Sequence, residues 1–232
     1  MCKVIPLSNE RFASCSGDKT VKIWKDDYTY KCISTLQHSY SVKSILQLRN
    51  KEVLVSLYYS GDLRYNNYVS FFELNDYKRQ FPIKDHRRTF NEFHIILSFS
   101  NMIELSNGNI AISARLKSSY YNDDPNTSAT SPKVIIIDSS SFQFVTMIEF
   151  KNLETKECSL CTFNELSFIF VIDKKFFQIS SEDGSIMYQS KSGKSKIFKG
   201  IVSLKGGKYF AINNQYYITI AEHYEDVSDD SD

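Results

Sequence analysis

Ala13-Ser14-Cys15-Ser16-Gly17-Asp18-Lys19-Thr20-Val21-Lys22-Ile23-Trp24 holds the end of one β-strand, a short polar turn and most of the next strand. Ser16–Lys19 supplies the turn chemistry: Gly is free to take positive φ, and Ser and Asp side chains bond to nearby backbone. Thr20–Lys25, rich in β-branched residues, prefers the pleated state. The same beat extends both ways. Upstream lie a strand-like Lys3–Leu7, the turn Ser8-Asn9-Glu10 and the strand Arg11–Ser14; downstream, Asp26–Thr29 separates Thr20–Lys25 from Tyr30–Leu36. Four strands joined by short polar connections make an antiparallel meander.

The pattern then starts again. A second set runs Val42–Leu48, Val53–Leu57, Tyr68–Leu74 and Tyr77–Ile83, and a third Met102–Leu105, Asn109–Arg115, Lys133–Ile137 and Phe142–Phe150. A fourth runs Cys158–Phe163, Ser167–Ile172, Phe176–Ser180 and Ser185–Gln189; a fifth has only Ile201–Leu204, Lys208–Asn213 and Tyr216–Ala221. Lys84–Ser100 separates the second and third sets, and a polar Lys117–Pro132 splits the third. Glu222 onward is acidic and is expected to be a disordered tail, with Ser228 and Ser231 placed for an acid-directed kinase. Five repeats in 232 residues average slightly more than the ~40–45 residues of one propeller blade. The expected class is all-β: about five four-stranded antiparallel blades at 3–36, 42–83, 102–150, 158–189 and 201–221, the last without its outer strand. Closure of the ring is left open, and unmet blade edges invite self-association or strand donation.

The residues from Ala13 to Trp24 resemble the second turn and third strand of a WD repeat. In that family a third-strand Trp, a second-strand Ser, a turn Asp and a His before a first strand are joined by buried hydrogen bonds. Here Asp18 stands six residues before Trp24 and Ser14 ten before it, so the resemblance implies a structural relay of Ser14, Asp18 and Trp24. An indole filling the gap between blades would make Trp24→Ala cost roughly 3–5 kcal/mol. Leu36-Gln37-His38-Ser39-Tyr40-Ser41-Val42 is similar to the Gly-His segment, with Gln37 in place of Gly, which assigns His38 to the second blade together with Ser56. There Phe72 stands where Trp would be, and the long turn Tyr58–Asn67 contains Asp62. The motif covers about Arg11–Ser56; the rest of the chain keeps the hydrophobic rhythm.

Composition sets limits. Twenty-eight Lys and Arg against 27 Asp and Glu give a net charge of +1, which argues against a nucleic-acid partner. No leader and no apolar run of the roughly 18 residues a membrane span needs are present, so no membrane is expected. Five cysteines are odd in number and scattered, which places the chain in the reducing cytoplasm, or the nucleus, and makes the sequon at Asn126 an unused triplet.

Candidate chemical motifs do not hold. Cys158-Ser159-Leu160-Cys161 has metal-knuckle spacing but no second pair of ligands, and on a strand its two thiols face opposite ways. Ser192-Gly193-Lys194-Ser195 lacks the phosphate loop's first glycine, Tyr188 standing there. No Gly-x-Ser-x-Gly elbow occurs. No catalytic residue, metal or cofactor is assigned, and the expected function is a non-enzymatic scaffold for a protein or peptide partner. Its candidate contacts ring the propeller face that carries the two insertions: Tyr40, Tyr58, Tyr59, Arg87, Arg88, Tyr120 and Tyr121. Exposed Tyr and Arg are good interface anchors, although Arg87 and Arg88 also read as solvation of a long loop. Two alternatives remain in play: a carbohydrate-binding five-bladed propeller, with equivalent pockets between blades, and a propeller hydrolase, with paired carboxylates at the channel.

Overall fold

The computed structural model describes residues 3–38, 40–49, 53–59, 68–73, 80–82, 94–118, 130–141, 144–150, 153, 158–172, 175–190, 198–203, 209–214 and 218–222. They form nineteen strands and, among the described residues, no helix. The first sheet holds β1 (Lys3–Leu7), β2 (Arg11–Cys15), β3 (Thr20–Lys25) and β4 (Cys32–Gln37). The second holds β5 (Ser41–Gln47), β6 (Val53–Tyr59), β7 (Tyr68–Glu73) and β8 (Gln80–Pro82). The third holds β9 (His94–Glu104), β10 (Ile110–Ser118), β11 (Thr130–Ile137) and β12 (Phe144–Glu149). Then come β13 (Cys158–Thr162), β14 (Ser167–Ile172), β15 (Lys175–Ser180) and β16 (Ile186–Gln189), and finally β17 (Phe198–Ser203), β18 (Tyr209–Asn214) and β19 (Ile218–Glu222). Every sheet is an antiparallel meander in chain order, four of four strands and the last of three: the blades of a β-propeller.

The third blade is larger than its sequence pattern suggests. β9 runs back to His94, β10 runs on to Ser118 and β11 begins at Thr130, so the ends of both expected insertions are strand. The cause is visible in the pairing: Leu116, Lys117 and Ser118 find partners at Ile96, Ile95 and His94, past two register shifts in β9. A bulge lets a strand continue after its alternation has slipped, which hides the continuation from a reading of periodicity.

First strands pack on one another in order, β1 on β5, β5 on β9, β9 on β13 and β13 on β17. Among the described residues no comparable packing joins β17 to β1. Apolar clusters fill the seams. Ala13, Cys15, Val21 and Ile23 meet Val42 and Ile45 between blades one and two. Phe150, Phe168, Phe170 and Phe177 knit blades three and four, with Phe150 tilted on Phe170 at 4.6 Å and on Phe177 at 4.8 Å. Gly184, in the turn between β15 and β16, holds φ +75° where an added Cβ would lie 3.2 Å from Ile148 Cδ1 of β12. Only glycine fits that turn without displacing its neighbour.

Candidate functional site

Blade one differs from blade four in what covers it. In β14 every residue of Ser167–Ile172 is buried: Phe168, Phe170 and Ile172 face the third blade, while Ile169 and Val171 join a separate cluster with Cys161 and Phe163. In blade one, burial alternates. Ala13, Cys15, Val21 and Ile23 are buried toward blade two, and the intervening Phe12, Ser14, Lys22 and Trp24 are only half-buried. Strand side chains alternate between faces, so these four share the other face. Val4 stands on it at 46 % exposure, paired with Ser14 in the register of β1 and β2.

That face carries the WD-like residues. Trp24 Nε1 donates to Ser14 Oγ at 2.8 Å, a diagonal bond between β3 and β2. The indole stacks on Phe12 with centroids 6.0 Å apart and planes 9° from parallel, and Phe12 meets Tyr30 edge-on at 6.3 Å. Lys22 Nζ lies 6.0 Å from the indole centroid, within cation–π range. The result is an aromatic plate with one ordered polar bond and an exposed rim of Val4 and Tyr30.

Asp18 and His38 stand elsewhere. The Asp18 carboxylate is exposed and accepts from Thr20 N–H at 3.0 Å and from Thr20 Oγ1 at 2.7 Å, bonds that draw its pKa below the usual carboxylate range. It closes its own turn, as short polar side chains do next to free backbone donors. His38 is buried, and desolvation pushes its pKa down to about 4. Its backbone N–H donates to Lys19 O at 2.8 Å, beside Val42 N to Ser16 O at 3.1 Å and Ser41 Oγ to Gly17 O at 3.1 Å. The turn of blade one is thereby stitched to the entry of blade two. Of Ser56 only the backbone is described. Its register matches that of Ser14, for Leu54 pairs with Phe72 as Phe12 pairs with Trp24.

Of the expected partner contacts, Tyr40 is half-buried just before β5. Tyr58 and Tyr59 end β6, opposite Val42 and Ser41, with only their backbone described. Arg87, Arg88, Tyr120 and Tyr121 lie outside the described residues, as do Ser228 and Ser231 of the tail.

Sequence reading missed the clamps between blades. Asn101, at the bulge of β9, donates Nδ2–H to Leu160 O at 2.9 Å and accepts from Leu160 N–H at 3.0 Å, so one side chain imitates a rung of β-sheet to β13. Ser113 Oγ, 3.0 Å from Asn101 Oδ1, holds it in place. At the turns that follow the first strands, Gln47 bonds both Ser8 N and Ser8 Oγ at 3.1 Å, and Arg49 is bound to Glu104 through its backbone N–H at 2.5 Å and its guanidinium at 3.7 Å. Ser106 donates to Glu165 O, and Asn107 Nδ2 to Ser181 O at 2.6 Å. Cys158 and Cys161 fall in different core clusters, and burial pushes the Cys161 thiol up to about 12. Among the described residues, no three His, Cys, Asp or Glu side chains gather where they could hold a metal ion.

No family model matches the chain. A 60-residue stretch, 25 % of this chain and 13 % of each relative, is 38 % identical to the nuclear distribution protein nudF, a WD-repeat protein, of Aspergillus flavus and of Aspergillus oryzae. The chain thus spans a small part of those relatives' length. Among solved structures, hydrazine synthase of Kuenenia stuttgartiensis superposes with a TM-score of 0.70 at 9 % identity, over 95 % of this chain and 70 % of that one. That likeness concerns the fold alone.

Proposed function

We propose that this chain is a non-enzymatic scaffold of the WD-repeat kind, present in the cytoplasm or nucleus, which binds a protein partner through the uncovered face of its first blade. One observation carries the reading: Phe12, Trp24 and Val4 form an aromatic and aliphatic patch on a sheet face that no neighbouring blade covers among the described residues. The described seams between blades one and two and between blades three and four are filled by apolar side chains from both sides. Flat aromatic area with a polar handle is the chemistry of interface hot spots. The similarity to nudF over 60 residues supports the WD-repeat reading. The insertion-bearing end, near Tyr40, Tyr58 and Tyr59, is the secondary contact region.

A photo-cross-linking residue at position 12 in the full chain tests this. Adducts with a polypeptide, abolished by Val4→Arg at unchanged melting temperature, are the expected result. Absence of adducts, or adducts indifferent to Val4→Arg, contradicts it. The carbohydrate reading requires equivalent glycan pockets between blades, and a glycan array with no binding removes it.

A further inference from the structure

A cavity of about 680 Å³ opens among the first strands of blades one to four, lined by Lys3, Leu46, Arg49, Met102, Glu104 and Phe163 among others. It reaches the turns that follow the first strands. Two cations and two carboxylates, Glu104 and the Glu165 of the turn after β13, line it, and the cations differ in what neutralises them. Arg49 is paired with Glu104, a buried carboxylate. Lys3 Nζ has one hydrogen bond, a long 3.4 Å contact to Ser44 Oγ of β5, and no carboxylate within ion-pair range among the described residues. An ammonium group has three donors to satisfy. Burial draws its pKa below the usual lysine range, with the Cys15 thiol the one opposing influence. An under-compensated charge beside an apolar wall is costly unless an anion joins it.

We propose that this cavity is a binding site for a carboxylate carried on an apolar body, the anion seated at Lys3 and the body against Leu46, Met102 and Phe163. Both a small organic acid and the C-terminal carboxylate of a peptide present that chemistry. The site is separate from the blade-one face, and its failure leaves the scaffold reading untouched.

The test uses the full chain and two matched pairs of probes, octanoate against octanamide and N-acetyl-Gly-Leu against its C-terminal amide, followed by backbone amide NMR. Saturable shifts at Gln47, Glu104 and Phe163, with an acid binding about tenfold or more tighter than its amide, are the expected result. The pair that shows the preference identifies the source, small acid or peptide end. Lys3→Met and Lys3→Gln are each expected to erase the preference, and Lys3→Met to raise the melting temperature without ligand. Equal binding of acid and amide in both pairs, shifts confined to other regions, or a preference that survives both substitutions overturns the proposal.

Discussion

Trp24 Nε1 donates to Ser14 Oγ at 2.8 Å on a face of the first blade where the indole stays half-buried. A buried relay and a surface bond differ in energy, because water can replace a partner lost at the surface but not one lost in the core. Ser14→Ala is accordingly expected to cost only about 0.5–1 kcal/mol in chemical unfolding. Trp24→Ala is expected to cost about 2 kcal/mol, below the range for a fully buried aromatic.

His38 is expected to make the fold acid-sensitive. Its folded pKa of about 4 lies below the unfolded value of 6.5, so the unfolded chain binds the proton first. Stability is unaffected by this group above pH 6.5, declines as pH falls from there toward 4, and loses on the order of 3 kcal/mol in total. His38→Gln is expected to flatten that decline in melts taken across the window. An equally steep decline in the variant would assign it to other groups.

Asn101→Ala removes both bonds to Leu160 and leaves a backbone N–H and a carbonyl between blades three and four unmatched. A loss of about 2–3 kcal/mol is expected. Hydrogen exchange at Leu160 is expected to rise well above that of the unmodified chain.

Gly184→Ala combines an unfavourable φ of +75° with a Cβ 3.2 Å from Ile148 Cδ1. A cost of about 1–2 kcal/mol is expected. Adding Ile148→Val to the Gly184→Ala variant relieves the contact but not the backbone, so it is expected to restore only part of the loss.

Much of the fold is written in local chemistry. Turn residues mark the meanders, and the spacing of Ser14 and Trp24 places two groups that do meet. The covering of each face was also present in the residues: Ala13, Cys15, Val21 and Ile23 alternate with polar or half-exposed neighbours, whereas Ser167–Ile172 is an almost continuous apolar run, buried on both sides. Alternation marks a blade with one open face, and a continuous run marks a blade between two others. Asn101 had no comparable signal. A lone Asn beside a bulge acts through a strand 59 residues away, and neither spacing nor propensity encodes that pairing. Asp18 illustrates the opposite limit: its spacing fits the relay, yet Thr20 is the nearer donor and takes the carboxylate.

Trp24 is the one tryptophan in the chain, so its fluorescence reports on this face of the first blade. Acrylamide quenching across a range of protein concentrations, with and without the cross-linked partner, is the most direct measurement. A solvent-accessible, readily quenched indole in the dilute chain, protected once the partner binds, is the expected result. Emission that is blue-shifted and resistant to quenching at every concentration would mean that the chain's own fifth blade already covers this face, and would contradict its role as a docking surface.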